Sequence, residues 1–286
     1  MNRLQKGVII LPSAFTLGNL FFGIHAIVAA TRGDFEWAAW FIVFAGVLDM
    51  LDGPIARFTD TASRFGAELD SLVDAISFGV APGYLMYALF FSDAREWSWL
   101  MSYIYIVAVV VRLARFNVDQ GGEAKRHFIG LPSPSAGMFL ATWYPFSQTT
   151  LFQRWMAGWD WTQIMVMAMV LVSVLMVSHV PYAKVPRLEV RTTRGRLTTA
   201  WILSLLTLAV TIPHYYFFSA LSVYIVWSLT RSFVLSLLDR MPDRDPLYDE
   251  HDPDEARAGD LSLRRVVDHS LLHPPSSRDR TPENDS

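Results

Sequence analysis

Eight apolar runs, each close to the roughly 20 residues that a bilayer's hydrocarbon core demands of a helix, fill the first 240 residues of this chain. They lie at about 8–30, 36–57, 67–92, 98–116, 134–152, 161–181, 198–212 and 215–238. In lipid, backbone N–H and C=O groups find no water, so each such run must satisfy its own backbone as a helix. The spacing therefore predicts an all-α, polytopic integral membrane helix bundle of about eight transmembrane helices, with the lipid bilayer as its solvent. Composition agrees, since 52% hydrophobic residues and a mean hydropathy of +0.28 are too apolar for an ordinary soluble domain. Residues 1–30 imitate a secretory signal, with Arg3 and Lys6 ahead of an apolar run. That run is longer than the about 7–15 residues of a signal's apolar region, and it is read here as the first span. The chain has no cysteine, which excludes disulfides and thiolate metal sites.

Orientation follows from the basic residues in the connections. With the N-terminus in the cytoplasm, that side carries Arg3, Lys6, Arg57, Arg64, Arg112, Arg115, Lys125, Arg126, Lys184, Arg187, Arg191, Arg194 and Arg196, against Arg32, Arg95 and Arg154 on the other. The asymmetry predicts the cell (inner) membrane as location, with both termini cytoplasmic. The chain divides at residue 240. Residues 1–240 form the transmembrane domain and carry a modest basic excess, suited to an anionic lipid surface. Residues 241–286 are acidic and rich in Pro and Ser, and are expected to be a disordered cytoplasmic tail. No nucleic-acid partner is expected.

Against this apolar background, "GVLDMLDGPIARFTDTASRFGAELDSLVDAISFG" places Asp49, Asp52, Asp70 and Asp74 in two neighbouring spans. At 100° per residue, Asp49, Asp52, Gly53 and Ala56 share about one third of a helical circumference, and Gly66, Asp70 and Asp74 form a second stripe on the next helix. The connection is short, so the helices are expected to be antiparallel neighbours with their aspartates at the cytoplasmic surface. An ionised Asp costs about 2.5–3.5 kcal/mol at a transmembrane helix centre, and clustered carboxylates also repel one another. A hard divalent cation relieves both, and carboxylate oxygens suit Mg²⁺ or Mn²⁺ rather than zinc. Four carboxylates on two helices have the donors for two such ions, the arrangement that clamps a phosphoryl group. The small residues on the same faces allow close helix approach and leave room for an extended ligand.

The pattern Asp49-x2-Asp52-Gly53-x2-Ala56-Arg57-x8-Gly66-x3-Asp70-x3-Asp74 resembles, at every specified position, the signature of the CDP-alcohol phosphotransferases. The resemblance implies a six-helix membrane core, usually dimeric, that moves a phosphatidyl or similar group from a CDP-linked donor to an alcohol and releases CMP. It further implies that Asp49, Asp52, Asp70 and Asp74 are ligands of two metal ions and that Asp74 is the catalytic general base. Gly53, Ala56, Arg57 and Gly66 would line the pocket for the CDP moiety of CDP-diacylglycerol. The chemistry of the residues is consistent with this, since metal-bound pyrophosphate and a carboxylate near the acceptor hydroxyl are what such a displacement needs.

Outside the signature, "LPSAFTLGNLFFG", "RLARFN", "FIGLPSPSAG" and "VPYAKVPRL" resemble the membrane-type bacterial and archaeal phosphatidylserine synthases within that family. This implies L-serine as acceptor. Thr16, Asn19 and Gly23 share a face of the first helix, where they either line the nucleotide cleft or pack helices. Arg112 and Arg115 either hold the serine carboxylate, which a guanidinium can grip through two nitrogens, or simply obey the positive-inside rule. The long Gly- and Pro-rich connection at 117–137 is expected to be a structured cap over the acceptor. Two other readings stay open: the same chemistry with inositol phosphate, glycerol phosphate or choline, and, more remotely, a cation transporter using intramembrane aspartates.

Overall fold

The computed structural model describes residues 3–58, 64–92, 99–120, 128–178, 181–182 and 193–238, with side chains described over 14–52, 65–92, 99–118, 130–178 and 199–232. The helices are α1 (Arg3–Thr31), α2 (Phe35–Phe58), α3 (Arg64–Asp74), a π-helical segment (Ala75–Val80), α4 (Ala81–Phe90), α5 (Trp99–Gln120), α6 (Ser133–Ser147), α7 (Thr150–Trp155), α8 (Trp161–Val177), α9 (Thr193–Thr211) and α10 (Pro213–Leu238). Among the described residues the only strand pairing is antiparallel and two residues long, β1 (Phe128–Ile129) with β2 (Pro181–Tyr182). The described residues are thus almost entirely α-helical, and each expected apolar run lies mainly on helix. Among the described residues, Ala14–Thr31, Phe65–Phe90 and Trp99–Val118 are long and apolar enough to cross a membrane by themselves. One compact unit, Met1–Val234, contains all the packing described below. The second, Leu235–Ser286, is described only over the last turn of α10, and the expected acidic tail lies outside the described residues.

Two kinds of surface follow from the sequence of each helix. Where α1 meets α2 the buried residues are small, Ala26, Ala29 and Ala30 against Ala38, Ala39 and Ala45, and small side chains let two helix backbones come close. Larger side chains, among them Phe78, Leu85, Met86, Leu140, Met165 and Met169, fill the centre between α4, α5, α6 and α8. The outside is apolar too, with Leu17, Phe21, Met50, Val110, Trp201 and Val226 all exposed. A soluble protein rarely presents so much apolar surface, whereas a lipid-facing bundle must.

The structure differs from the expected spans at three places, each with a local cause. The run expected over 134–152 ends at Ser147. Gln148 closes α6, and Thr149 opens the separate α7 by accepting a hydrogen bond from the Phe152 N–H. The run expected over 161–181 ends at Val177, where Ser178 turns extended before β2. The third span is not a uniform helix, because Pro82 has no N–H to offer the carbonyl four residues back and its ring crowds that carbonyl. The backbone widens into the π-helical segment just before it, and the Phe78 carbonyl accepts a hydrogen bond from the buried Tyr105 hydroxyl at 2.7 Å. Tyr105→Phe removes this donor and leaves buried polar groups under-satisfied, which typically costs about 1–3 kcal/mol. The detergent-solubilised variant should therefore unfold at lower temperature than the wild type while keeping its helical circular dichroism; an unchanged midpoint would show that the bond contributes nothing.

Candidate active site

Helix α1 is the wall on which the site is built, because α2 and α3 both pack against it. Thr16, Asn19 and Gly23 step along one face of α1. Thr16 donates its hydroxyl proton to Asp52 Oδ2 at 2.5 Å, tying α1 to α2. Asn19, fully buried, donates from Nδ2 to Asp74 Oδ1 at 3.3 Å, tying α1 to the end of α3. One turn on, Gly23 lies so close to Ser77 that an added Cβ would overlap its side chain and backbone, and the Ser77 hydroxyl donates to the Asn19 carbonyl at 3.2 Å. The absence of a side chain at 23 is what lets the π-helical segment, and Asp74 just before it, sit against α1.

This arrangement gathers the aspartates. Carboxylate oxygens of Asp49, Asp70 and Asp74 all lie within 4.8 Å of one another, and Asp74 is only 7% exposed. Asp52 stands outside that triad, close enough to interact electrostatically with Asp49 and Asp70. The expected four-aspartate site is thus three clustered carboxylates with a fourth beside them on Thr16. Among the described residues none of the four forms an ion pair at contact distance, and Asp70 Oδ1 is buried with no hydrogen-bond partner. Mutually close carboxylates with an unsatisfied inward oxygen fit a hard divalent cation such as Mg²⁺ or Mn²⁺.

Helix α5 brings the cationic side of the site, and its "RLARFN" motif divides the work. Arg112 donates to the Ser133 hydroxyl at 2.6 Å, lies over the Phe116 ring, and interacts electrostatically with Asp49 and Asp74. Its Nε is buried without a partner. Arg115 donates to the Val177 carbonyl at 2.8 Å and so holds the end of α8. Asn117 donates to Glu68 at 3.2 Å and accepts from Ser71 at 2.9 Å, fastening α5 to α3. Ser133 opens α6 three residues after Gly130, whose φ of 84° belongs to the left-handed region and where a Cβ would strike the Met176 carbonyl. The strand pair Phe128–Ile129 with Pro181–Tyr182 ties the residues before Gly130 to the segment that follows α8.

Of the remaining expected site residues, Gly66 is half-buried on α3. Gly53, Ala56 and Arg57 lie on the last turns of α2, and their side chains fall outside the described residues. Sequence reasoning did not single out Tyr105, Ser133, Asn117 or Tyr224, although the first three bond to the site's elements and Tyr224 interacts electrostatically with Arg112. Ser133 and Asn117 fall within quoted motifs, but nothing in a linear sequence says which partner each meets.

Residues 9–212 match the family model described as CDP-alcohol phosphatidyltransferase. The chain belongs to the CDP-alcohol phosphatidyltransferase family. It is similar to a Helicobacter pylori protein named CDP-diacylglycerol–serine O-phosphatidyltransferase, 34% identical over 173 residues, which are 60% of this chain and 71% of that protein. A Mycobacterium bovis protein of the same name is 35% identical over 190 residues, 63% of each chain. An archaetidylserine synthase of Methanothermobacter thermautotrophicus is 34% identical over 179 residues, 62% of this chain and 71% of that one. Across these three relatives the chain spans between 63% and 71% of the relative's length. Family and apolar helices together mark a membrane protein. CDP-alcohol phosphatidyltransferases generally use divalent metals, and in this member Asp49, Asp70 and Asp74 offer the donors for one.

The carboxylate cluster should be a liability without a cation. Adding Mg²⁺ or Mn²⁺ should raise the wild-type unfolding midpoint, since a ligand at 100 times its dissociation constant stabilises by about 2.7 kcal/mol. In EDTA, Asp70→Asn should be at least as stable as the wild type, because one repelling charge is gone, and added Mg²⁺ should shift it little. Equal metal-induced shifts in the two proteins would place the ion elsewhere.

Proposed function

We propose that this chain transfers the phosphatidyl group of CDP-diacylglycerol to the hydroxyl of L-serine, giving phosphatidylserine and CMP. The observation that carries the reading is the Asp49, Asp70 and Asp74 cluster facing Arg112, in a chain whose family and relatives are named for this chemistry. The serine oxygen forms a new bond to the phosphorus that bears the diacylglycerol, the bond from that phosphorus to the CMP oxygen breaks, and the serine hydroxyl proton passes to a carboxylate. Asp74 is the candidate for that base, oriented by the Asn19 amide. Two divalent ions on Asp49, Asp52, Asp70 and Asp74, when bound, would neutralise charge on the pyrophosphate and on departing CMP. Thr16, Asn19, Gly53, Ala56, Arg57 and Gly66 form the candidate pocket for the CDP moiety.

Of the two candidate arginines, Arg112 is the better placed to hold the serine carboxylate. It is held by Ser133 on one nitrogen and keeps a buried Nε without a partner, while Arg115 is engaged with the Val177 carbonyl. The reading also takes residues 1–240 as the catalytic membrane domain, working as a homodimer with its site and both termini at the cytoplasmic face of the inner membrane, and 241–286 as a tail that catalysis does not need.

The decisive test offers purified protein CDP-diacylglycerol with serine, inositol phosphate, glycerol phosphate and choline in turn, and identifies the lipid formed. Serine should be the preferred acceptor, with one CMP released per phosphatidylserine; preference for another acceptor would overturn the serine assignment. Asp49→Asn, Asp70→Asn and Asp74→Asn should each abolish turnover without loss of insertion. Arg112→Lys should raise KM for serine by about ten- to a hundred-fold, the equivalent of one hydrogen bond to an ionised group at about 1.5–3 kcal/mol, and leave the KM for CDP-diacylglycerol nearly unchanged. Unaltered serine dependence would mean that the carboxylate is held elsewhere.

A further inference from the structure

Directly after Asp74 the helix widens into the π-helical segment Ala75–Val80, in which the Ala81 N–H bonds to the Ile76 carbonyl five residues back. One residue more in a helix rotates what lies before it by about 100° relative to what lies after it. Helix α4, beyond the segment, is seated in the core by Leu85 and Met86, so the segment sets the direction in which the aspartate stripe of α3 faces. Three helices hold its backbone. On α1, the Ser77 hydroxyl donates to the Asn19 carbonyl at 3.2 Å, and there is no room for a Cβ at Gly23 beside Ser77. On α5, the Tyr105 hydroxyl donates at 2.7 Å to the Phe78 carbonyl, to which Pro82 has no N–H to offer. On α6, a Cβ at Gly137 would lie 3.0 Å from the Phe78 carbonyl oxygen and 3.1 Å from its Cα. Ser77, Phe78 and Tyr105 are fully buried.

We infer that Ser77 and Tyr105 are positioning residues for proton removal from the acceptor: by holding the π-helical register they keep the Asp74 carboxylate on Asn19 and within the site. The inference rests on the phosphatidyl-transfer reading above, in which Asp74 is the base. Asn19 is the point where the contacts meet. Its side-chain amide donates to Asp74 Oδ1 at 3.3 Å, and its backbone carbonyl accepts from Ser77. Residues 74 and 77 are thus pinned to one residue of α1, and any slip of the segment draws Asp74 away from the amide that orients it. Tyr105 acts from the opposite helix. Both hydroxyls donate to backbone carbonyls, so their influence on Asp74 travels through the main chain of the segment.

Such a role has a kinetic signature. A displacement of about 1 Å in a reacting group can lower a rate by about a hundredfold while substrates still bind. Loss of either hydroxyl should therefore act on kcat, because Arg112, Asp49 and Asp70 keep their places. The proton transfer itself should become the slow step.

The test compares Ser77→Ala and, as a second variant should that one fail to fold, Tyr105→Phe with the wild type, using CDP-diacylglycerol and serine at saturating Mn²⁺ in H₂O and in D₂O. Each variant should lower kcat by about tenfold or more, change the KM for either substrate by less than about twofold, and raise the solvent isotope effect on kcat above the wild-type value. A misfolded fraction lowers the rate equally in the two solvents, so a fall in kcat with an unchanged isotope effect overturns the inference. So does a fall confined to KM, or a deficit that more Mn²⁺ removes, which would locate the effect in ion binding. Hydrogen exchange supplies a readout independent of turnover. In both variants the amides from 74 to 80 should exchange faster than in the wild type while those of α8 keep their protection; unchanged protection over 74–80 overturns the inference. If the wild type releases no CMP with any acceptor, the phosphatidyl-transfer reading fails, and exchange still decides whether the two hydroxyls hold the segment, with equal protection in wild type and variants overturning that as well.

Discussion

Repulsion among carboxylates in a nearly dry place is the constraint around which this structure is arranged. Oxygens of Asp49, Asp70 and Asp74 come within 4.8 Å of one another in helices whose other faces are apolar. Such a cluster is unfavourable twice over, by desolvation and by like charge, and it persists only if surrounding structure holds it. Helix α1 does most of that holding. Asn19 donates to Asp74, Thr16 donates to Asp52 beside the triad, and Gly23 brings the π-helical segment close enough for Asp74 to be reached.

The next layer serves the same end. Pro82 and Tyr105 shape the segment following Asp74, and the "RLARFN" motif spreads from the site to α3 and α8 through Asn117 and Arg115. Ser133 holds Arg112, and the positive φ of Gly130 delivers Ser133 to that position. In a lipid solvent these polar contacts carry more of the specificity than apolar burial does, because the outside of the bundle is as apolar as its inside. Among the described residues, three of the six buried side-chain polar atoms without a partner, Asn19 Oδ1, Asp70 Oδ1 and Arg112 Nε, lie at the aspartate site.

Much of this was legible in the sequence, for physical reasons that also mark its limit. Helical periodicity alone put Asp49 with Asp52 and Asp70 with Asp74 on common faces, and the apolar runs fixed where helices lie. The ends of α6 and α8 were misjudged because the runs stay apolar through 152 and 181, and only the polar "SQTT" and the serine at 178 mark the breaks. The π-helical segment had a signal, Pro82 in "SFGVAPG", but a proline in a membrane helix has several outcomes. Thr16 and Asn19 were seen to share a face, yet their partners are 36 and 55 residues away, and no local rule connects them. Arg112 and Arg115 looked equivalent because both obey the positive-inside rule. They lie only about 60° apart on the helix, yet Arg112 interacts with the aspartates while Arg115 reaches the Val177 carbonyl at the end of α8.

The central claim is that Asp49, Asp70 and Asp74 jointly hold a divalent cation. It is tested most directly by determining the structure of the protein with Mn²⁺ and locating the metal by anomalous scattering. The account predicts an anomalous peak in coordination contact with oxygens from all three carboxylates, at the roughly 2.0–2.2 Å expected for a small hard ion. A protein that turns over under the same conditions but shows no metal there, or shows it only at other groups, would contradict the account.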